Sequence, residues 1–257
     1  MDVGQYRCVE CRNSLAQKGD QLVCMGCGND YPVREASVPI FVTAKQPDRK
    51  FSIGVASQLF EAPLLYESLV RFKSFVAPDS PLGIRDVTDG CSLLNIGCGT
   101  DVEARHLEYD IHAVTRFSAM DLSESFVLAA KRKCSRKDAN FCVASITSLP
   151  YADSSVDVVI IPFVLHHLPF PLSLGLKEAL RVAAKYVVVF DHISSDESPV
   201  MKAIQELYWR LFDGGHQYLG GAEWKVILDG LSVVRNLRTG AIGGHVCKFI
   251  IEKQVSK

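Results

Sequence analysis

From about residue 92 onward, short runs of apolar residues alternate with stretches of helical periodicity. The apolar runs are nearly continuous, which is typical of strands buried on both faces of a parallel sheet. The predicted strands are Ser92–Ile96, Phe117–Met120, Phe141–Val143, Ser155–Ile161 and Tyr186–Phe190. Helices are predicted after Ser123, which suits an N-cap, and from Leu172 to Ala184. This alternation predicts a doubly wound α/β fold.

The segment before this domain has a different pattern. Residues 43–53 have the composition of a linker, and Ala56–Val76 shows helical apolar spacing that is broken at Pro63. We therefore expect a linker followed by N-terminal cap helices over 44–88.

The end of the chain departs from strand–helix alternation. An insertion at 194–225 contains a helical stretch, Val200–Phe212, followed by a glycine-rich turn. Two antiparallel edge strands are predicted at Leu231–Val234 and Val246–Ile251. The expected domains are a small module at 1–43, the linker and cap helices at 44–88, and the α/β domain at 89–257.

Charge and hydropathy exclude some classes of protein. The 257 residues include 28 basic and 29 acidic side chains, a formal net charge of −1. This balance gives no overall attraction to nucleic acid or acidic membranes, although it leaves room for a local basic patch. No apolar stretch reaches the roughly 20 residues of a spanning helix, and the first residues do not resemble a signal peptide. We expect a cytoplasmic protein without membrane contact; its oligomeric state is not indicated.

The cysteines are concentrated at the N-terminus. Four of the nine form the pattern C-x2-C-x12-C-x2-C, at Cys8, Cys11, Cys24 and Cys27. Two such pairs supply the tetrahedral sulfur ligands that structural zinc prefers, so a zinc ribbon is predicted. A module of this size buries little core, and the metal would supply much of its folding free energy. The other five cysteines are interpreted as small core residues.

The main chemical motif is a glycine turn after the first strand of the α/β domain. Gly97 and Gly99 stand one residue apart and are followed by Asp101, where a helix is predicted to start over Asp101–Leu107. Glycines at this point let a ligand lie directly against the backbone. Asp121 ends the next strand, 22 residues after Gly99, where a carboxylate accepts from ribose hydroxyls. Val102 occupies the third glycine position of the dinucleotide fingerprint, which disfavours NAD or FAD.

This turn, Asp121, the segment Ser145–Tyr151 and the run Val164–Leu168 occur in an order that resembles class I S-adenosylmethionine-dependent methyltransferases over roughly residues 89–192. The resemblance implies a Rossmann-like sheet of seven strands and S-adenosylmethionine as cofactor. It also implies that one histidine of the Val164–Leu168 run is structural. The implied cofactor-binding residues are Asn95, Gly97, Cys98, Gly99, Asp101, Asp121, Leu122, Ser145, Ile146 and Pro162.

Three positions depart from that family's pattern. Asn95 replaces a common acidic residue, Asp101 replaces a frequent third glycine, and Ser145 replaces an acidic partner of adenine. One interpretation is compensation, in which Asp101 supplies the missing carboxylate and the Ser145 hydroxyl remains an acceptor. The other is a weakened cofactor site in a catalytically silent protein. The retained glycines and Asp121 favour a working enzyme.

The N-terminal module also resembles a known family. Asn29–Val33 and Val38–Phe41, after the cysteine pairs, are similar to the small zinc-ribbon protein that activates several tRNA, rRNA and translation-factor methyltransferases. A similar ribbon precedes a family of bacterial rRNA guanine methyltransferases. The ribbon's basic residues are Arg7, Arg12, Lys18 and Arg34, without interleaved exposed aromatics. A structural role against the catalytic domain is therefore weighed slightly above RNA binding.

The sequence indicates less about the molecule that would accept the methyl group. The fourth strand ends Ile161-Pro162-Phe163-Val164, so the motif for methylating an exocyclic base amine is missing, and no Pro-Cys or Thr-Cys supports attack on cytosine C5. The candidate catalytic residues are His216, His192 and Asp191. His216 follows a glycine turn, and its imidazole suits proton removal near neutral pH. It is flanked by aromatic residues that could wall an apolar site: Tyr208, Trp209, Phe212 and Tyr218. The alternative is that His216 only caps a turn.

Three functions remain open at this stage. The first is methyl transfer to a small molecule or biosynthetic intermediate, supported by the neutral charge and the aromatic insertion. The second is methylation of rRNA or tRNA, with the ribbon holding the RNA. The third is a methyltransferase-like scaffold without activity, motivated by the three departures from the family pattern.

Overall fold

A computed structural model of the chain describes a defined set of residues. They are 1–42, 84–103, 109–169, 171–194, 198–212, 215–231, 234–242 and 246–254. The predicted helix Ala56–Val76 and its linker lie outside them, as do most residues of the predicted helix after Asp101. The part of that helix that is described, residues 101–103, is not helical.

The N-terminal module is a four-stranded antiparallel sheet. Its strands are β1 (Leu15–Lys18), β2 (Gln21–Cys24), β3 (Asp30–Arg34) and β4 (Val38–Pro39), paired in chain order. The two Cys-x-x-Cys turns flank β1 and β2, so the hairpin brings both pairs to one end of the module. We call residues 1–42 the ribbon.

The second sheet belongs to the α/β domain. In chain order its elements are α1 (Arg85–Thr88), β5 (Ser92–Ile96), β6 (Arg116–Asp121), α2 (Glu124–Lys133), β7 (Asn140–Val143), β8 (Val156–Pro162), a 3-10 turn (Leu165–His167), α3 (Ser173–Val182), β9 (Ala183–His192), α4 (Pro199–Phe212), α5 (Gly221–Asp229), β10 (Val234–Ile242) and β11 (Val246–Lys253).

The strand order of this sheet places its ligand-binding edge. The order is β10-β11-β9-β8-β5-β6-β7; β5 to β9 run parallel, and β11 is antiparallel to both β9 and β10. From β5 the chain moves outward to β7, then returns to β8 on the opposite side. Ligands of such sheets bind at this switch point, beyond the carboxyl ends of the strands. The predicted Rossmann-like fold is confirmed.

Both faces of the sheet are covered. Leu94 and Ile96 pack in a core with apolar side chains of α3 and α5, whereas Leu93 packs on the other side with those of α1 and α2. Burial on two faces explains why the central strands are apolar at successive positions. Across the described residues, no helix is both long and apolar enough to cross a bilayer.

The ribbon lies on the exposed edge of β7. Ile40 forms a parallel bridge with Val143, and the Phe41 N–H donates to the Val143 carbonyl at 2.7 Å. The fully buried Phe41 ring lies 5.2 Å from Tyr6 and 5.0 Å from Tyr31, centroid to centroid. An edge strand otherwise leaves backbone groups unpaired. The ribbon therefore closes one edge of the second sheet and shares its core.

Several predicted boundaries needed correction. The helix predicted at 172–184 is Ser173–Val182, and the strand predicted at 186–190 extends over Ala183–His192. The first strand of the terminal hairpin was placed wrongly at Leu231–Val234; it is β10, Val234–Ile242. Its mixed polar sequence suits an edge strand and hides it from a search for apolar runs. Helix α5 was not predicted, because the glycines before it suggested a loop.

Candidate functional site

The glycine turn between β5 and β6 has a geometry that side chains rarely adopt. Gly97 and Gly99 have φ angles of 75° and 55°, in the left-handed region. The amides of Gly97 and Cys98 both donate to the Met120 carbonyl, at 2.8 and 2.9 Å. A Cβ atom on Gly97 would lie 2.1 Å from Val164 Cγ2. The turn is thus fixed to the end of β6 and leaves no room for a side chain.

Asp121 fastens this turn from the neighbouring strand. Its Oδ2 accepts from the Gly99 amide at 3.0 Å, and its Oδ1 accepts from the Ser123 amide at 2.9 Å. Asp121 is partly exposed, but the surrounding protein still desolvates its carboxylate and thereby raises its pKa. The amide hydrogen bonds oppose that rise. The two predicted cofactor elements, the glycine turn and the carboxylate, therefore meet in space.

Two buried polar atoms beside the turn have no hydrogen-bond partner among the described residues. They are Asn95 Oδ1 and Thr100 Oγ1, in side chains that are fully buried. The other end of the Asn95 amide donates to the Tyr109 hydroxyl at 2.7 Å. Buried polar groups normally find partners. The ammonium and carboxylate of an amino-acid tail would supply both, so these residues fit the methionine end of S-adenosylmethionine.

The remaining predicted cofactor residues follow the same edge of the sheet. Asp101 Oδ1 accepts from the Glu103 amide at 2.8 Å, and its role toward the ammonium stays a prediction. Cys98 is buried in the turn, Leu122 follows Asp121, and Pro162 ends β8. The amide of Ala144 donates to the Asp121 backbone carbonyl at 3.1 Å, which places the next two residues near the end of β6.

Those two residues are Ser145 and Ile146, both buried. Ser145 Oγ lies 2.7 Å from the Thr147 hydroxyl and accepts from the Thr147 amide at 3.0 Å. The serine hydroxyl thus stabilises a turn at the carboxyl end of β7. A contact between Ser145 and adenine stays a prediction.

A cluster of rings and one carboxylate occupies the other half of the edge, at the ends of β8 and β9. The fully buried Asp191 carboxylate lies 2.5 Å from His166 Nδ1 and accepts from the backbone amides of His166 and His192, at 3.2 and 2.7 Å. The His192 ring lies 5.4 Å from Phe163 and 6.0 Å from Tyr218. The carboxylate fixes the orientation of the His166 imidazole.

His216 takes a different place from the one expected of a proton acceptor. Its side chain is exposed, while its backbone amide donates to the His166 carbonyl at 2.7 Å. Gly215 lies over the cluster, where a Cβ atom would come within 2.6 Å of His166 Cδ2. Residues 215–218 therefore cover the cluster through their backbone and Tyr218. The predicted aromatic neighbours Tyr208, Trp209 and Phe212 have side chains outside the described set.

Sequence reasoning named Tyr218 as an aromatic neighbour of His216 but did not single out His166 or Thr100. His166 is predicted only as a member of a family run. Asp191 could have indicated His166, because a carboxylate at the end of a buried strand needs several donors nearby. Thr100 has no distinguishing pattern.

The four ribbon cysteines converge as predicted. Their sulfur atoms all lie within 4.8 Å of one another; a tetrahedral zinc with Zn–S bonds of about 2.3 Å separates its sulfurs by roughly 3.8 Å. The amides of Gly26 and Cys27 donate to Cys24 Sγ, at 3.3 and 3.4 Å. Hydrogen bonds from Asn13 lower the pKa of Cys11 to about 6. The donor set fits a closed structural zinc site.

Comparison with known proteins agrees with this geometry. The model of a family described as a methyltransferase domain matches residues 94–190. Residues 94–190 are therefore similar to a methyltransferase domain. The demethylmenaquinone methyltransferase of Lactococcus lactis is 30% identical over 125 residues, which are 47% of this chain and 49% of the relative. A Staphylococcus epidermidis enzyme of the same name is 30% identical over 127 residues. The chain spans about half the length of these curated relatives.

Solved structures support a class I S-adenosylmethionine-dependent methyltransferase fold. A SAM-dependent methyltransferase from Aquifex aeolicus is 20% identical with a TM-score of 0.55, over 74% of this chain and 98% of that one. A chain of the complex between the Haloferax volcanii Trm112 methyltransferase activator and a methyltransferase is 14% identical with a TM-score of 0.56, over 78% of this chain and 96% of that one. At these identities the likeness concerns the fold.

The glycine turn of the methyltransferase domain yields a first prediction. Gly97→Ala should destabilise the protein and greatly weaken S-adenosylhomocysteine binding, because its Cβ collides with Val164. Gly90→Ala is the matched control, since Gly90 has a φ of 71° with no atom near its Cβ position. The control should show only the left-handed strain, about 1–2 kcal/mol. Thermal unfolding and calorimetric titration of both variants would decide; equal behaviour would remove the steric argument.

The cysteine cluster yields a second prediction. Freshly purified protein should contain one zinc per chain, and Cys24→Ser should lose it, because Cys24 accepts two amide hydrogen bonds as a thiolate. Cys134→Ser, at a cysteine outside the ribbon, is the control and should retain the metal. Elemental analysis is the measurement. A parent protein with clearly less than one zinc would contradict the assignment.

Proposed function

We propose that this chain is an active methyltransferase that transfers a methyl group from S-adenosylmethionine to a small molecule. The observation that supports this most is the Gly99–Asp121 hydrogen bond at 3.0 Å, next to the buried polar atoms of Asn95 and Thr100. These groups suit the ribose and the amino-acid tail of one elongated ligand. The cofactor would extend across the ends of β5, β6 and β7, from Thr100 toward Ser145.

The acceptor would then lie on the other side of the switch point, beyond β8 and β9. When bound, S-adenosylmethionine supplies an electrophilic methyl group, and the protein must align the acceptor with it. The rings of Phe163, His192 and Tyr218 provide an apolar wall there. Such a wall suits a flat, mainly apolar molecule. The curated relatives, named for demethylmenaquinone, are consistent with that chemistry.

His192 is the proposed proton acceptor for an acceptor that must lose a proton. It is the last residue of β9, and its backbone amide donates to the Asp191 carboxylate. Asp191 itself is surrounded by donors, which favours a supporting role. His216 is the weaker candidate, because its exposed ring belongs to the segment that covers the cluster.

RNA remains the second candidate substrate, and the ribbon is the feature that motivates it. One face of the ribbon is occupied by β7 and the segment after it. We interpret the ribbon first as a structural part of the catalytic domain. Binding to RNA would have to use its opposite face.

A third prediction tests the cofactor site. Asp121→Ala should weaken S-adenosylhomocysteine binding at least tenfold, because each charge-assisted bond to the ribose contributes about 1.5–3 kcal/mol. Asp110→Ala is the control: that carboxylate also accepts a backbone amide, from His112 at 2.8 Å, but lies away from the turn. Isothermal titration calorimetry measures both. Undiminished binding by Asp121→Ala would refute the assignment.

A fourth prediction tests the acceptor class. With labelled S-adenosylmethionine, a naphthoquinol that lacks its ring methyl group should be methylated, and bulk tRNA or rRNA should not. His192→Gln should reduce turnover by about 10² or more if His192 removes the proton, with S-adenosylhomocysteine affinity unchanged. His216→Gln is the comparison and should lose less. Label recovered in RNA alone would support the alternative substrate.

A further inference from the structure

The ribbon contacts the methyltransferase domain at a second place besides β7. The turn that contains Cys8 and Cys11, continued by Arg12, packs against residues 145–151, which we call the adenine-side segment. The Arg7 amide donates to the Pro150 carbonyl at 2.9 Å, and the Ser148 hydroxyl donates to the Val9 carbonyl at 3.1 Å. This segment begins with the two residues proposed to flank adenine.

Arg12 is at the centre of this contact. Its Nη1 donates to the Leu149 carbonyl at 2.6 Å, and its Nη2 donates to Glu178 Oε1 at 2.9 Å. Glu178 Oε1 also accepts from the Leu149 amide at 2.8 Å. Both backbone groups of Leu149 are therefore held by this ion pair, which joins the ribbon to α3. Arg181 Nη2 also donates to the Leu149 carbonyl, at the longer distance of 3.2 Å.

The surroundings make this ion pair more than a surface contact. Glu178 is largely buried, and Arg181 donates to both of its carboxylate oxygens, at 2.7 and 2.8 Å. Burial alone would raise the pKa of Glu178, but the two guanidiniums hold it below its ordinary value. Arg12 itself has a φ of 62°, a conformation uncommon for a side-chain-bearing residue. Its amide donates to the Cys8 carbonyl at 2.9 Å, within the cysteine turn.

We propose that Arg12 is a positioning residue for the cofactor: with Glu178 it ties the metal-binding turn of the ribbon to the adenine-side segment, so that cofactor affinity depends on the fold of the ribbon. This inference rests on the proposed function, because it takes residues 145–146 as neighbours of adenine. The path is short. Leu149 is held by Arg12, the Ser148 amide donates to the Ser145 carbonyl at 3.2 Å, and the Ala144 amide donates to the Asp121 carbonyl.

The test compares two arginines that each join the ribbon to the methyltransferase domain. Arg34 pairs with Glu124 at 3.2 Å, away from the adenine-side segment, so Arg34→Met is the control for Arg12→Met. Calorimetry would measure the affinity for S-adenosylhomocysteine and for methylthioadenosine, which has the adenosine part without the amino-acid tail. Arg12→Met should weaken both ligands by a similar factor of about five to ten, with unchanged zinc content, and Arg12→Lys should recover part of the loss. Arg34→Met should bind like the parent.

The outcomes separate this inference from the function beneath it. A parent protein that binds neither ligand would contradict the proposed function itself. A parent that binds, with Arg12→Met and Arg34→Met equally tight, would overturn the role of Arg12 and leave the function standing. If Arg12→Met does not fold, Ser148→Ala decides, because it removes the Val9 contact from the domain side. That variant should weaken both ligands about twofold to threefold, and undiminished affinity would overturn the proposal.

Discussion

The carboxylate of Asp191 is the group on which the ring cluster at the ends of β8 and β9, the proposed acceptor side, depends. It joins the end of β9 to the turn after β8 through the His166 ring and two backbone amides. The His166 carbonyl then accepts from the amides of His216 and Gln217, so the covering segment is attached to the same point. Removing the partner of a buried carboxylate lowers the free energy of unfolding by about 3–5 kcal/mol. The pairing of Asp191 with His166 therefore determines both the arrangement and the stability of the ring cluster at the ends of β8 and β9.

The geometry of the glycine turn and Asp121, the proposed cofactor side, was largely predictable from sequence because its determinants are local. Two glycines after a buried strand require left-handed backbone angles, and a carboxylate at the end of the next strand lies beside them in any parallel pairing. The four cysteines were predictable for the same reason, since their spacing alone brings the sulfurs together. The misplaced strand β10 shows the limit of this reasoning. Its sequence alternates too little and is too polar to be distinguished from a loop.

The acceptor side and the ribbon contacts were not predictable, because they join residues far apart in the chain. Asp191 and His166 are separated by 25 positions, and Arg12 and Glu178 by 166. Nothing in the local sequence distinguishes Arg12 from the other basic residues of the ribbon, which are few and widely spaced. Only the tertiary fold shows that its guanidinium lies over a carbonyl of the domain. The number of basic residues in the ribbon therefore does not reveal its contact with the domain through Arg12.

The β7 edge explains why the ribbon and the catalytic sheet share one core. A parallel sheet that ends in a short apolar strand leaves both a row of backbone groups and an apolar face to solvent. Phe41 and Tyr6 cover that face, and the Phe41 amide pairs the edge. The apolar residues of the ribbon in turn pack in one core with Cys142 and Tyr151 of the domain. The two parts thus complete one core, and a metal bound by the ribbon would also stabilise the sheet edge next to the proposed cofactor site.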